Sequence, residues 1–66
     1  MLTKLQLTRK AQGLRQKQVA KAVGISRPYL ALLESKRRHP SPNVARKLAK
    51  VLRVHVDWLF ADEVSV

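Results

Sequence analysis

The side chains here that could do chemistry are almost all cations. Lys and Arg number fourteen against four Asp and Glu, a formal charge of +10 at pH 7. The charge is also segregated. No carboxylate precedes Glu34, and no Lys or Arg follows Arg53, whereas Asp57, Asp62 and Glu63 cluster towards the end. A surface made only for solubility would mix both signs, so the basic body implies an anionic partner, nucleic acid first. Other chemistries lack their parts. There is no cysteine, hence no disulfide framework and no thiolate metal site. His39 and His55 stand alone, without carboxylates at ligand spacing, and read as surface histidines. No Ser/His/Asp constellation and no Gly-rich phosphate loop occurs. The expectation is no catalytic residue, no metal, no cofactor and no enzyme.

Helices must position these cations. The organising stretch is Gln16 to Glu34, where two short apolar stripes flank Val23-Gly24-Ile25-Ser26. Val19, Ala20 and Val23 share one helical face; Leu30, Leu33 and Glu34 share another at i, i+3, i+4 spacing. Gly24 stops the first helix by taking left-handed dihedrals. Ser26 starts the second, its hydroxyl accepting an orphan N–H. Two helices joined by so short a turn read as a helix-turn-helix over residues 16–35, a unit shaped for the DNA major groove.

A first helix is expected over residues 2–12, with Leu2, Leu5, Arg9 and Gln12 on one face and Leu7 off it. Gly13 ends it, and Leu14 plugs the core from the turn. Arg15 is a poor N-cap for helix 2, but Gln18 can reach back to it. Lys17 and Lys21 form a like-charged i, i+4 pair, sensible only opposite an anion. Helix 3 is expected over Arg27 to Ser35, with Pro28 tolerated in its first turn. Leu32 falls opposite the core stripe, leaving two readings: contact with a thymine methyl, or core if the helix phase is off by one. The run Lys36-Arg37-Arg38-His39-Pro40 then forms a basic loop placed to grip phosphate. Ser41-Pro42 opens helix 4, whose stripe is Val44, Leu48, Val51 and Leu52. Helix 5 is expected over Val56 to Ala61, with Trp58 and Leu59 assigned to the core and Phe60 to an interface.

The pattern from Gln16 onward resembles the phage-repressor and Cro type of helix-turn-helix domain, the Xre family. The residues that carry the likeness include Gly13-Leu14, Gln16, Val19-Ala20, Gly24-Ile25-Ser26, Leu30, Leu33-Glu34, Pro40-Ser41, Leu48-Ala49, Leu52, Val54 and Val56-Asp57-Trp58-Leu59. The resemblance implies an all-α, compact five-helix, lambda-repressor-like domain with the helix-turn-helix formed by helices 2 and 3. It implies that Gln16 touches a DNA phosphate and braces the recognition helix. It places Arg27, Pro28 and Leu32 on base edges, and Ser26 and Tyr29 near sugar and phosphate. Arg9 and Glu34 match a salt bridge between helices 1 and 3. The chain departs from the pattern at Arg15, where Ser or Thr is common, and at Lys36, where Gly is usual, so the exit from helix 3 is expected to differ. Arg15, Lys17, Lys36, Arg37 and Arg38 complete the expected backbone contacts.

At 66 residues the chain reads as one domain over residues 1–66. The implied partners are an operator in double-stranded DNA and a second copy of the chain. The dimerisation end is placed at residues 54–66, through Val54, Val56, Phe60 and Val64. Such a regulator would work in the cytoplasm of a bacterial or phage-infected cell, at the nucleoid. No membrane span and no small-molecule pocket is expected. The alternatives are the antitoxin of a toxin–antitoxin pair, or a protein-interaction adaptor on the same fold.

Overall fold

Four of the five N-cap positions in a computed structural model of the chain carry a device visible in the sequence. The structure describes residues 3–61. Among them it holds five helices: α1 (Lys4–Ala11), α2 (Gln16–Val23), α3 (Arg27–Glu34), α4 (Pro42–Leu52) and α5 (Val56–Leu59). Thr3, Ser26 and Ser41 each accept a first-turn backbone N–H through the hydroxyl, at 3.2, 3.1 and 3.3 Å. At α2 only the return bond of a capping box forms, from the Arg15 N–H to Gln18 Oε1 at 2.7 Å. A guanidinium has no lone pair to offer the N3 amide, so that amide is left open.

The C-termini of α1 to α4 share a second device, a residue in the left-handed region. Gly13 (φ 71°) and Gly24 (φ 87°) serve α1 and α2. Lys36 (φ 62°) and Arg53 (φ 59°) take the same conformation after α3 and α4. At the α3 exit the N–H groups of Lys36 and Arg37 donate to the carbonyls of Leu33 (3.2 Å) and Leu32 (3.0 Å), a complete Schellman motif. The expectation that Lys36 would change this exit is thus corrected: the hydrogen bonds of the motif outweigh the Cβ penalty. Because a left-handed non-glycine costs about 1–2 kcal/mol, and glycine's extra chain entropy recovers only part of that, Arg53→Gly is expected to stabilise the domain by about 0.5–1 kcal/mol. Thermal unfolding would show a rise of about 3–6 °C; an unchanged or lower midpoint would contradict it.

The helices close on one core: Leu5, Val19, Ala20, Val23, Leu30, Leu33, Leu48, Ala49, Leu52 and Leu59. The Cα radius of gyration is 10.5 Å, about what a globular chain of this length requires. Polar ties brace the seams. Gln12 Nε2 donates to the Leu52 carbonyl at 2.6 Å, joining the ends of α1 and α4. Lys4 Nζ donates to the Trp58 carbonyl at 3.4 Å and sits 5.0 Å from the centroid of the Trp58 ring, joining α1 to α5.

Several boundaries and one core assignment differ from the sequence reading. Helix 1 begins at Lys4 because Thr3 is its cap, and Leu2 lies outside the described residues. Helix 3 ends at Glu34 and α5 at Leu59, each shorter than expected. Trp58 is not core: it is 48% exposed, its ring lying under Lys4. The α5 helix is one turn long; Leu59, 1% exposed, is its fully buried residue and Val56 is half-buried against the core, which leaves Trp58 on the outer side.

Candidate nucleic-acid interface

The second helix of the helix-turn-helix, α3, is set by a buried polar cluster beneath it. Glu34 is 3% exposed at the last turn of α3, and Arg9 on α1 is 7% exposed. The guanidinium meets the carboxylate in a fork, Nε to Oε2 at 2.6 Å and Nη2 to Oε1 at 3.1 Å. Its remaining arm, Nη1, donates to the Leu14 carbonyl in the turn before α2 at 2.7 Å. Gln16, the first residue of α2, donates from Nε2 to Glu34 Oε1 at 3.0 Å. Thr3 Oγ1 donates to the Glu34 backbone carbonyl at 2.9 Å. Arg9 and Glu34 together thus gather α1, the α1–α2 turn, the start of α2 and the end of α3. The charge of the carboxylate is matched in place, as a buried charge must be.

Neutralising Glu34 internally has an electrostatic consequence outside. The other carboxylate among the described residues is Asp57, on α5. Among the described residues, the α2–α3 surface therefore carries positive charge with no exposed carboxylate of its own. Arg15, Lys17 and Arg27 line one open cleft of about 430 Å³, floored by Arg9, Leu14 and Gln16. The open N-terminus of α2 adds unpaired backbone N–H groups and the positive end of the helix dipole. Such a notch suits a phosphate.

The solvent-facing arc of α3 is formed, at about 100° per residue, by Arg27, Ala31, Ser35, Pro28 and Leu32. Arg27 and Pro28 are exposed, and Ala31 and Leu32 are half-buried. Leu32 accordingly stands between its two readings, at the rim of the arc. Tyr29 is half-buried and packs against the core, with its backbone N–H on the Ser26 hydroxyl. Beyond the helix, Lys36, Arg37 and Arg38 are exposed along the turn that leaves α3.

The sequence candidates for backbone contact thus fall in two groups, before and after α3 in the chain. Arg15 and Lys17 lie at the start of α2, and Lys36, Arg37 and Arg38 after α3. Gln16 differs from a free phosphate ligand in that its amide is engaged below, on Glu34. Val54, Val56 and Phe60 are half-buried against the core, and Val64 lies outside the described residues. Sequence reasoning missed the Thr3, Gln12 and Lys4 ties. Only Thr3 had a signal, as a capping residue three before Gln6. No group of three or more His, Cys, Asp or Glu that could hold a metal occurs among the described residues. No helix among them is long and apolar enough to cross a membrane.

Comparison with known proteins agrees with this geometry. A helix-turn-helix family model matches residues 5–59, from α1 through α5. A relative from Archaeoglobus fulgidus, described as an uncharacterized HTH-type transcriptional regulator, is 33% identical over 60 residues, covering 91% of this chain and 86% of its own. The match takes in the buried cluster, the α2–α3 unit and the core, and the family is one of DNA-binding proteins and not of enzymes. The chain belongs to the Xre-type helix-turn-helix family.

Proposed function

We propose that the chain is a sequence-specific transcriptional regulator, a homodimeric repressor or autoregulator that binds an inverted-repeat operator with α3 in the major groove. The observation that carries this reading is the α2–α3 unit itself: Arg27 and Pro28 exposed at the start of α3, Arg15 and Lys17 beside Arg27 in one cleft, Arg37 and Arg38 exposed just after α3, and the carboxylate of α3 buried against Arg9. A single α3 touches too few bases to single out a site, and a two-fold pair places two recognition helices about 34 Å apart, one duplex turn. The dimer surface in this reading is built on the α5 end, from Val54, Val56, Phe60 and Val64.

The test is selection of a random duplex pool by the purified protein at near-physiological salt. An inverted repeat in the recovered sequences is the expected outcome. Binding that only falls as salt rises, with no sequence enriched, would reject it. The salt response also separates the roles of the cations. Each neutralised phosphate contributes roughly 0.9 to the slope of log K against log salt. Arg37→Ala with Arg38→Ala is expected to flatten that slope by about two per protomer while leaving the selected sequence unchanged. A changed sequence preference would place those side chains on bases instead.

The rival is a protein partner, as for an antitoxin or an adaptor. The exposed Trp58 and Leu7, 48% and 49% accessible, are what favours it. A tight stoichiometric protein complex that forms without DNA, together with failure of the selection, would bring it forward.

A further inference from the structure

Resting on the DNA-binding reading above, the donor inventory of α3 specifies what kind of base pairs it can read. Five residues make up the outward arc. Arg27 offers a planar fork of N–H donors. Pro28 has neither a side-chain donor nor a backbone N–H. Ala31 and Leu32 are apolar. Ser35 Oγ is turned back, donating to the Leu32 carbonyl at 3.1 Å. The arc therefore carries one group with donors free for a base, Arg27 at its start, a Ser35 hydroxyl whose proton is already engaged at its end, and an apolar strip between. Pro28 and Leu32, four residues apart, are neighbours on the helix surface, as are Arg27 and Ala31.

The major groove offers few targets that fit such a surface. The fork matches O6 and N7 of guanine. The apolar strip has no use for the donors and acceptors of base edges, and would leave them desolvated and unpaired. The one apolar group that a base pair presents there is the C5 methyl of a pyrimidine. We infer that α3 reads 5-methylpyrimidines next to a guanine, the guanine held by Arg27 and the methyl groups seated on Pro28, Ala31 and Leu32. Thymine carries that methyl by nature, and 5-methylcytosine presents the same group opposite guanine, so cytosine methylation would strengthen a site having cytosine at that position. The surrounding cations hold the duplex against the strip and supply the charge complementarity, without themselves distinguishing the bases.

Uracil provides the test, because it pairs as thymine does and lacks only the methyl. A duplex recovered by the selection is remade with uracil at each thymine of the half-sites in turn. Loss of one methyl contact is expected to weaken binding about fourfold, the factor for roughly 0.8 kcal/mol, and about 16-fold when both half-sites are changed. Leu32→Ala is expected to bring the thymine-to-uracil ratio close to one at its own position. Because that ratio is taken within one protein, any loss of stability in the variant cancels. Replacing the same pair by C·G, with and without the 5-methyl group, separates the two sources. A fourfold gain on methylation would show that the methyl alone is read; no gain, with the uracil penalty intact, would show that thymine is the ligand. Equal affinity for thymine and uracil at every position would overturn the inference and leave the regulator standing. If no sequence is enriched at all, both fall together.

Discussion

Arg9→Ala is expected to loosen the domain severely or unfold it. Arg9 is buried against Glu34, and its three donor atoms engage both carboxylate oxygens and the Leu14 carbonyl. Removing it strands the Glu34 carboxylate in the interior with one neutral donor, the Gln16 amide. Breaking a buried pair from one side costs about 3–5 kcal/mol. A domain of this length has on the order of 3–10 kcal/mol in all. The variant therefore loses roughly three tenths of its stability at the least, and all of it at the other end. Far-UV circular dichroism with urea titration would read this directly. A midpoint close to that of the wild type would show that Glu34 is satisfied without Arg9.

The comparison that isolates the mechanism is the double variant Arg9→Met with Glu34→Leu. It removes both charges and leaves apolar volume in their place, a change that is often neutral or better for buried pairs. It is expected to be more stable than Arg9→Ala although it alters more atoms. Gln16 and the Leu14 carbonyl would still lose partners, so full recovery is not expected. The purpose of the cluster on this view is orientation: it ties the start of α2, which lines the cleft through Arg15, Gln16 and Lys17, to α3, whose first residue Arg27 lines it from the other helix.

What the sequence discloses and what it withholds divide along the range of the interactions. The break at Gly24 and the cap at Ser26 act within a few residues, and both are found where the pattern of α2 and α3 puts them. The same holds for Ser41-Pro42 at α4. Trp58 shows the other case. Its type and its neighbours Leu59 and Phe60 suggested core, but α5 is a single turn, and which of three adjacent apolar residues faces inward is set by how that turn docks. Lys36 shows a third. Its type argues against a left-handed exit, and two backbone hydrogen bonds closing α3 decide in its favour. The positive charge of the candidate interface was visible in composition alone. That Arg15, Lys17 and Arg27 line a single cleft is a tertiary fact, which depends on how α2 and α3 dock and which no local pattern discloses.

Arg27→Ala is expected to cut most of the discrimination between the operator and an unrelated duplex while leaving the fold intact. Arg27 is at the first position of α3, exposed, and the sole side chain on the α3 arc able to make a bidentate contact to a base. One such contact is worth about 1–3 kcal/mol of discrimination, so a two-fold complex stands to lose about 2–6 kcal/mol, at least roughly 30-fold in affinity for the specific site. Non-specific binding rests on the phosphate contacts and should fall far less. Arg27→Lys sharpens the test, since it keeps the charge and loses the planar fork. If Arg27 reads guanine, the lysine variant resembles alanine on the operator and the wild type on random DNA. If Arg27 instead holds a phosphate from the cleft it shares with Arg15 and Lys17, lysine restores binding to both duplexes, and alanine weakens both by the same factor. Isothermal titration with the two duplexes decides between these patterns, and only the first is compatible with α3 lying in the major groove with its N-terminus on the base edges.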